Sequence, residues 1–306
     1  MGLNINEIKK LIAEKVDVNN ILEDVPMSQH TSFRAGGNAD MMVIPQSVDE
    51  LKAVLAVLDG CAYPSMILGN GSNILVKDGG YRGVMVKIGE AFNNVSVEGT
   101  RVTCGAGALL SVAAKAAAAE GLTGFEFASG IPGSIGGAIF MNAGAYDGEM
   151  KFVLEKARVI SRNGKEDKYL SAEELDMGYR HTLLHDTGDI VVEVVLKLEA
   201  GDKDEIKAKI ADLTARRNSK QPVAFPSAGS FFKRPTGYFA GKLVQDAGLK
   251  GLSVGGAQVS ELHSGFIINK GGASATDILQ LMEIVQQTVM DKFGVMLEPE
   301  VRIIGE

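Results

Sequence analysis

An α+β fold is the class this sequence predicts, and three observations predict it. Helix-cap signals followed by apolar residues at 3.6-residue spacing recur along the chain. Short runs of β-forming residues lie between them. The two kinds of segment alternate irregularly, which argues for mixed layers and against a regular series of βαβ units.

The elements follow in order. An N-terminal helix is expected within the charged segment 4–17, and residues 40–44 form the first strand-like run. Ser47 and Glu50 make a capping-box pair ahead of Leu51, Val54, Leu55 and Leu58, and Gly60 is expected to stop that helix. Strands are expected at 65–68, 83–88, 94–98 and 100–104. Longer β-type runs lie at 153–160 and 190–198, and Asn163-Gly164 is a hairpin signal. Ser171 with Glu174 suggests a further helix start. Asp202 with Glu205 opens an amphipathic run with Ile206, Ile210 and Leu213; the charged stretch 203–209 is its solvated face. The last helix begins near Ser274, spaces Ile278, Leu281, Met282, Val285 and Val289 helically, and closes at Gly294.

A chain of 306 residues has room for two or three domains and a sizeable core. A hydrophobic content of 45% fits a globular protein. The net charge of −7 argues against nucleic acid as a partner, since that needs a basic face. Two cysteines, Cys61 and Cys104, fit a reducing compartment and small buried side chains. No apolar run reaches the ~18 residues that would span a bilayer, because Lys115 breaks the longest one, so no membrane is expected as a partner and the expected location is the cytoplasm. No metal is expected.

The segment 124–146 is the most informative. It holds Gly124, Gly130, Gly133, Gly136, Gly137 and Gly144, with Pro132 to stiffen it, and a second glycine-rich turn runs Gly69-Asn70-Gly71-Ser72-Asn73. Glycine lets backbone approach a ligand closely, and successive N–H groups in such turns make concave anion sites. Two such turns suggest a ligand carrying a diphosphate. Neither Gly69-x-Gly71 nor Gly105-x-Gly107 has the third glycine of a Rossmann fingerprint. After Gly71 the chain reads as extended strand and turn, not helix.

Six blocks in sequence order carry a resemblance. They are residues 30–37 (His-Thr-Ser-Phe-Arg-Ala-Gly-Gly), 69–76, 131–146, Gly178-Tyr179-Arg180, 229–235 (Gly-Ser-Phe-Phe-Lys-Arg-Pro) and 297–302 (Leu-Glu-Pro-Glu-Val-Arg). Together they resemble the UDP-N-acetylenolpyruvoylglucosamine reductases. A shared flavin fold alone would account for the first three blocks but not for the last three. Only residues 182–189 separate Arg180-His181 from the next strand, so the chain resembles the shorter, type II form without the substrate-covering tyrosine loop. The resemblance implies a two-lobed FAD-binding domain of the vanillyl-alcohol-oxidase type, with lobes at 1–90 and 91–200, and a C-terminal α+β substrate-binding domain at 201–306.

The same resemblance implies the chemistry. NADPH would reduce a non-covalent FAD, which would then reduce the enolpyruvyl group of a UDP-sugar. Ser230 matches the proton donor. Arg180 faces the enolpyruvyl carboxylate, where a planar, permanently charged fork suits growing negative charge. Glu300 matches the third catalytic residue, and Glu298, two residues away on the same strand face, is the alternative. A bare carboxylate would repel the new charge, so Glu300 is expected protonated or bridged. FAD contacts are assigned to Arg34, Gly69, Asn70, Gly71, Ser72, Asn73, Gly130, Ile131, Pro132, Gly133, Gly136 and Gly137, with Asn142 and Gly144 as further candidates. Tyr179 would touch the substrate. Arg216, Arg217 and Lys220 read either as a basic helix end favoured by the dipole or, with Arg234, as a clamp for the UDP diphosphate. Arg302 supports Glu300 or approaches the flavin. The four histidines, His30, His181, His185 and His263, read as structural. A monomer is expected. Two other classes remain open: an FAD oxidase of the same fold, for which His30 and Cys104 are the tether candidates, and a non-catalytic sensor of the flavin or UDP-sugar.

Overall fold

The computed structural model describes residues 3–306 and divides into two compact units. One runs to Glu23 and then takes Met41–Asn70 and Gly83–Arg217; the other takes Asp24–Asp40, Gly71–Arg82 and Asn218–Glu306.

The first unit is built on an antiparallel five-stranded sheet. Its spatial order is Asp167–Leu170, Leu154–Ile160, Ile190–Lys197, Arg101–Gly105, Val95–Glu98. The middle strand, Ile-Val-Val-Glu-Val-Val-Leu-Lys, is apolar almost throughout because most of it is buried on both faces. Leu110–Ala119 packs its Leu110, Ala113, Ala114 and Ala117 into the same core. A second sheet orders Ile21–Pro26, Asn38–Val43, Tyr81–Lys87 and Ser65–Leu68, the last two parallel. The hairpin signal at Asn163-Gly164 joins Leu154–Ile160 to Asp167–Leu170, with Gly164 at φ 75° and its N–H donating to the Ser161 carbonyl.

Two capping expectations are modified. Ser47 Oγ accepts from Glu50 N at 3.1 Å, but the Glu50 carboxylate reaches back to Gln46 N, and the helix Val48–Gly60 keeps Gly60 as its last residue. Ala62, at φ 48°, turns the chain instead. Ser171 and Glu174 do exchange both capping bonds, at 3.2 and 2.7 Å, yet only one turn forms. Asp176 goes left-handed at φ 46° before a second turn can propagate.

In the second unit, Ala275–Phe293 buries Ile278, Leu281, Met282, Val285 and Val289 along one stripe, as the spacing predicts. Ser274 caps it through a full capping box with Asp277, and Gly294 ends it at φ 67°. Asp78 adds a second cap by accepting from Ala275 N and Thr276 N, both at 2.8 Å. Three short strands, Ser253–Val254, Ala257–Val259 and Ile267–Asn269, share that core. Among the described residues no helix is long and apolar enough to cross a membrane, and no cluster of His, Cys, Asp and Glu could hold a metal.

One buried carboxylate fastens the glycine-rich segment of the first unit. Glu126 is 2% exposed and accepts from Thr123 Oγ1 at 2.6 Å, Gly124 N at 3.1 Å and Lys209 Nζ at 3.0 Å. Burial pushes its pKa up, but the Thr123 hydroxyl, a backbone N–H bond at Glu126 and Lys209 outweigh burial and hold it below the ordinary 4.5. A depressed folded-state pKa contributes stability above the unfolded value and loses it as pH falls through the folded value. Glu126→Gln is therefore expected to cost about 1–3 kcal/mol in urea denaturation at neutral pH. The difference from the parent should close in acid; a gap independent of pH would show that the charge is not what holds the segment.

Candidate active site

In the first unit the two glycine-rich segments meet. A side chain on Gly69 would place its Cβ 2.6 Å from Ser134 Oγ, so only glycine lets the turn lie against residue 134. The segment 133–136 is held by the turn after Arg101–Gly105: Leu110 N donates to Gly133 O, Ile135 N to Ala108 O and Gly136 N to Ala106 O, at 3.1, 2.8 and 2.8 Å. The Gly105-x-Gly107 turn thus does lie between a strand and a helix. Its strand is antiparallel to its neighbours, so it is no Rossmann unit.

These residues fit a flavin dinucleotide. Gly137 is exposed within the short helix Ile135–Phe140, and a Cβ there would meet only Ser134 Oγ at 3.5 Å. Helical glycine costs about 1 kcal/mol relative to alanine. Nothing in the protein requires that cost, whereas a closely approaching ligand would.

Two hairpins follow. Gly144–Ala145 pairs with Gly148–Glu149, leaving Tyr146 and Asp147 at the tip with φ of 51° and 65°. Gly178 bridges His181, leaving Tyr179 and Arg180 at the tip, with Arg180 at φ 54°. Left-handed backbone costs an L-residue roughly 1–2 kcal/mol, so both tips are strained. Tyr179 is exposed, and the Arg180 guanidinium carbon lies 5.1 Å from its ring centroid. Asn142 sits between the hairpins and is buried. Its amide donates to Gly178 O at 2.9 Å and to Glu149 Oε2 at 3.0 Å, and its Oδ1 accepts from Lys151 N at 3.0 Å. The connection after Arg180 is short, with only the single helical turn Leu184–Thr187 before the strand Ile190–Lys197.

Arg217 and Lys220 lie on the last turn of Lys203–Lys220. Arg217 is half-buried over Gly130, where a Cβ would stand 3.1 Å from its Cδ, and burial lowers its pKa. Neighbouring Arg216 instead pairs with Asp212 at 2.8 Å on the solvent face. Lys220 is exposed.

The second unit assembles four of the recognised blocks. Gly71, at φ 64°, passes so close to the His30 carbonyl that a Cβ would clash outright, and Ser32 N donates to Gly71 O at 3.0 Å. Arg34 is exposed at the same turn with φ 54°. Asn73 Nδ2 donates to Glu300 O at 3.1 Å, and Arg302 N to Asn73 O at 3.0 Å. Arg302–Ile304 then runs parallel to Ile74–Val76. Phe232 bridges Pro299, and Glu300 N donates to Phe231 O at 2.8 Å. Ser230 precedes that paired residue, is exposed, and follows Gly229 at φ 78°. Phe231, fully buried, anchors the turn against Phe33, with ring centroids 6.0 Å apart.

The two carboxylates on this strand differ. Glu298 is 70% exposed and pairs with Lys233 Nζ at 3.4 Å. Glu300 is half-buried, with its backbone pinned on both sides. Arg234 is exposed, its guanidinium 4.0 Å above the Phe239 ring.

Three of the histidines have structural surroundings. His185 stacks on Phe140 and His181 on His185, with centroids 4.0 and 5.2 Å apart. His263 Nδ1 accepts from Gly265 N, and burial lowers its pKa. Burial also pushes the Cys104 thiol up to about 12. Asn142, Thr182 and Ser134 carry contacts that motif reading does not reveal. The one local signal was an asparagine, a residue that tolerates left-handed backbone, at φ 41°.

Comparison with known proteins agrees with the geometry. Residues 39–167 match a family described as an FAD binding domain, and residues 221–304 match the UDP-N-acetylenolpyruvoylglucosamine reductase C-terminal domain. A UDP-N-acetylenolpyruvoylglucosamine reductase of Clostridium perfringens is 54% identical over 299 residues, covering 98% of each chain. That of Clostridioides difficile is 50% identical over 302 residues, covering 99% of this chain and 97% of its own. The crystal structure of the Thermus caldophilus enzyme superposes with a TM-score of 0.80 at 36% identity, covering 91% of this chain and 97% of its own. The sequence, its α+β fold and its paired motif blocks lead to one conclusion: this chain belongs to the UDP-N-acetylenolpyruvoylglucosamine reductase family.

Proposed function

We propose that this protein is an FAD-dependent oxidoreductase that uses NADPH to reduce UDP-N-acetylglucosamine-enolpyruvate to UDP-N-acetylmuramate, a step of peptidoglycan precursor synthesis. The observation that carries this reading is the pairing of the Ser230 turn with the Glu300 segment, inside a chain of this family.

FAD would be held by Arg34, by 69–73, by 130–133 with Gly136 and Gly137, and by Gly144. When bound, it supplies the hydride store, taking hydride from NADPH and passing it to the enolpyruvyl group. The side chains do the rest. Arg180 holds the enolpyruvyl carboxylate and steadies the charge that gathers there. Glu300 acts protonated or bridged; Glu298 is the weaker choice because Lys233 already engages it in solvent. Ser230 Oγ gives its proton to the carbon next to the one that receives hydride. Tyr179 contacts the sugar nucleotide, and Arg217, Lys220 and Arg234 meet its diphosphate. The two flavin-binding lobes at 1–90 and 91–200 and the substrate-binding part at 201–306 work as a cytoplasmic monomer.

One experiment tests the reading. Purified protein is mixed with NADPH and the enolpyruvyl nucleotide sugar, and absorbance is followed at the nicotinamide and flavin bands. The expected result is NADPH oxidation that needs the sugar nucleotide, and FAD released intact on denaturation. Covalently retained flavin with oxygen-driven turnover would favour the oxidase, and binding without turnover would favour the sensor.

A further inference from the structure

We propose that Asn142 is a positioning residue for Arg180: it clamps the Gly178–His181 hairpin to the Gly144–Glu149 hairpin and so fixes where the arginine stands. This rests on the role given to Arg180 above. The argument starts from strain. Arg180 keeps a left-handed backbone at the tip of a two-residue loop, and such a conformation persists only where the surroundings over-determine it. The loop's own bonds are modest: Gly178 N donates to His181 O at 3.0 Å, but the return bond is 3.4 Å.

A further constraint comes from outside the hairpin. On one side, Asn142 Nδ2 donates to the Gly178 carbonyl at 2.9 Å. On the other, Thr182 Oγ1 donates to Phe140 O at 3.0 Å, and His185 stacks between His181 and Phe140. Both stems of the loop are thus tied to the same three-residue stretch, Phe140 to Asn142. Asn142 is itself held by Glu149 Oε2 and Lys151 N, and Lys151 Nζ pairs with Glu149 at 3.1 Å. A buried asparagine offers two donors and a carbonyl acceptor, and here both kinds of group are engaged by protein. Its amide and its carbonyl are thus engaged in tying the two hairpins together, and this positioning role takes the place of the cofactor contact that the motif suggests.

Asn142→Asp tests this. The shape and the acceptor for Lys151 N remain, while the donation to Gly178 O is lost and a charge is set beside Glu149. The variant should bind FAD in full and be reduced by NADPH at the parental rate. Its reaction with the enolpyruvyl sugar nucleotide should slow by about a hundredfold. Affinity for the product UDP-N-acetylmuramate, measured by calorimetry, should fall about tenfold, as losing a hydrogen bond to a charged group implies. In an Arg180→Lys background the same substitution should change both quantities less than about twofold, because residues acting through one another are not additive. Thr182→Val should reproduce the pattern more weakly and decides the matter if Asn142→Asp does not fold. Loss of FAD, equal loss in both half-reactions, or full additivity with Arg180→Lys would overturn the proposal. If Arg180→Lys itself behaved like the parent, the reading of Arg180 would be what had failed.

Discussion

Ser230→Ala is expected to leave reduction of the bound flavin by NADPH within about threefold of the parent, while slowing the reaction with the enolpyruvyl nucleotide by about 10³-fold, within the range for a lost general acid. Stopped-flow absorbance of each half-reaction separately is the measurement. The asymmetry follows from the proton-donor role proposed for the hydroxyl. Hydride transfer from NADPH needs no proton from Ser230, whereas the enolpyruvyl carbon cannot be saturated without one. The fold gives no reason for a general collapse: Ser230 is exposed, and the neighbouring buried Phe231, with its bond to Glu300 N, holds the turn. Ser230→Cys keeps a proton on the side chain and should retain measurable turnover. Equal loss in both half-reactions would show that the residue shapes the cleft and does not deliver the proton.

Arg180→Lys is the second large effect. Lysine keeps the charge and bears the same left-handed backbone at φ 54°, so the comparison isolates the head group. An ammonium has no planar fork and cannot meet a carboxylate through two parallel N–H donors. Turnover with the enolpyruvyl nucleotide should fall by about 10²–10³-fold, the range for removing a donor aimed at developing charge. Again NADPH reduction of flavin should stand. Turnover close to the parent would mean that a point charge suffices and that the hairpin tip serves another end.

Much of the chain was legible because the signals are local. Cap residues and apolar spacing act within one or two turns, so Val48–Gly60, Lys203–Lys220 and Ala275–Phe293 could be read directly. The same holds for the hairpin at Asn163-Gly164, whose turn chemistry lies in adjacent residues. The reading faltered where a local signal competes with a remote one. Ser171 and Glu174 make their capping bonds, but the chain leaves after one turn, when Leu183 N finds the Leu175 carbonyl.

The sequence by itself determined the α+β class, the long helices, the glycine turns and, through its motif blocks, the family. Only the tertiary structure decided that residues 24–40 and 71–82 join 218–306 in one compact unit, that Ile74–Val76 pairs with Arg302–Ile304, and that Asn142 ties the Arg180 hairpin to its neighbour. The reason is physical. Period and capping record what a residue does with its near neighbours, whereas these arrangements depend on hydrogen bonds and burial shared by segments far apart in the chain, which leave no pattern in either segment alone.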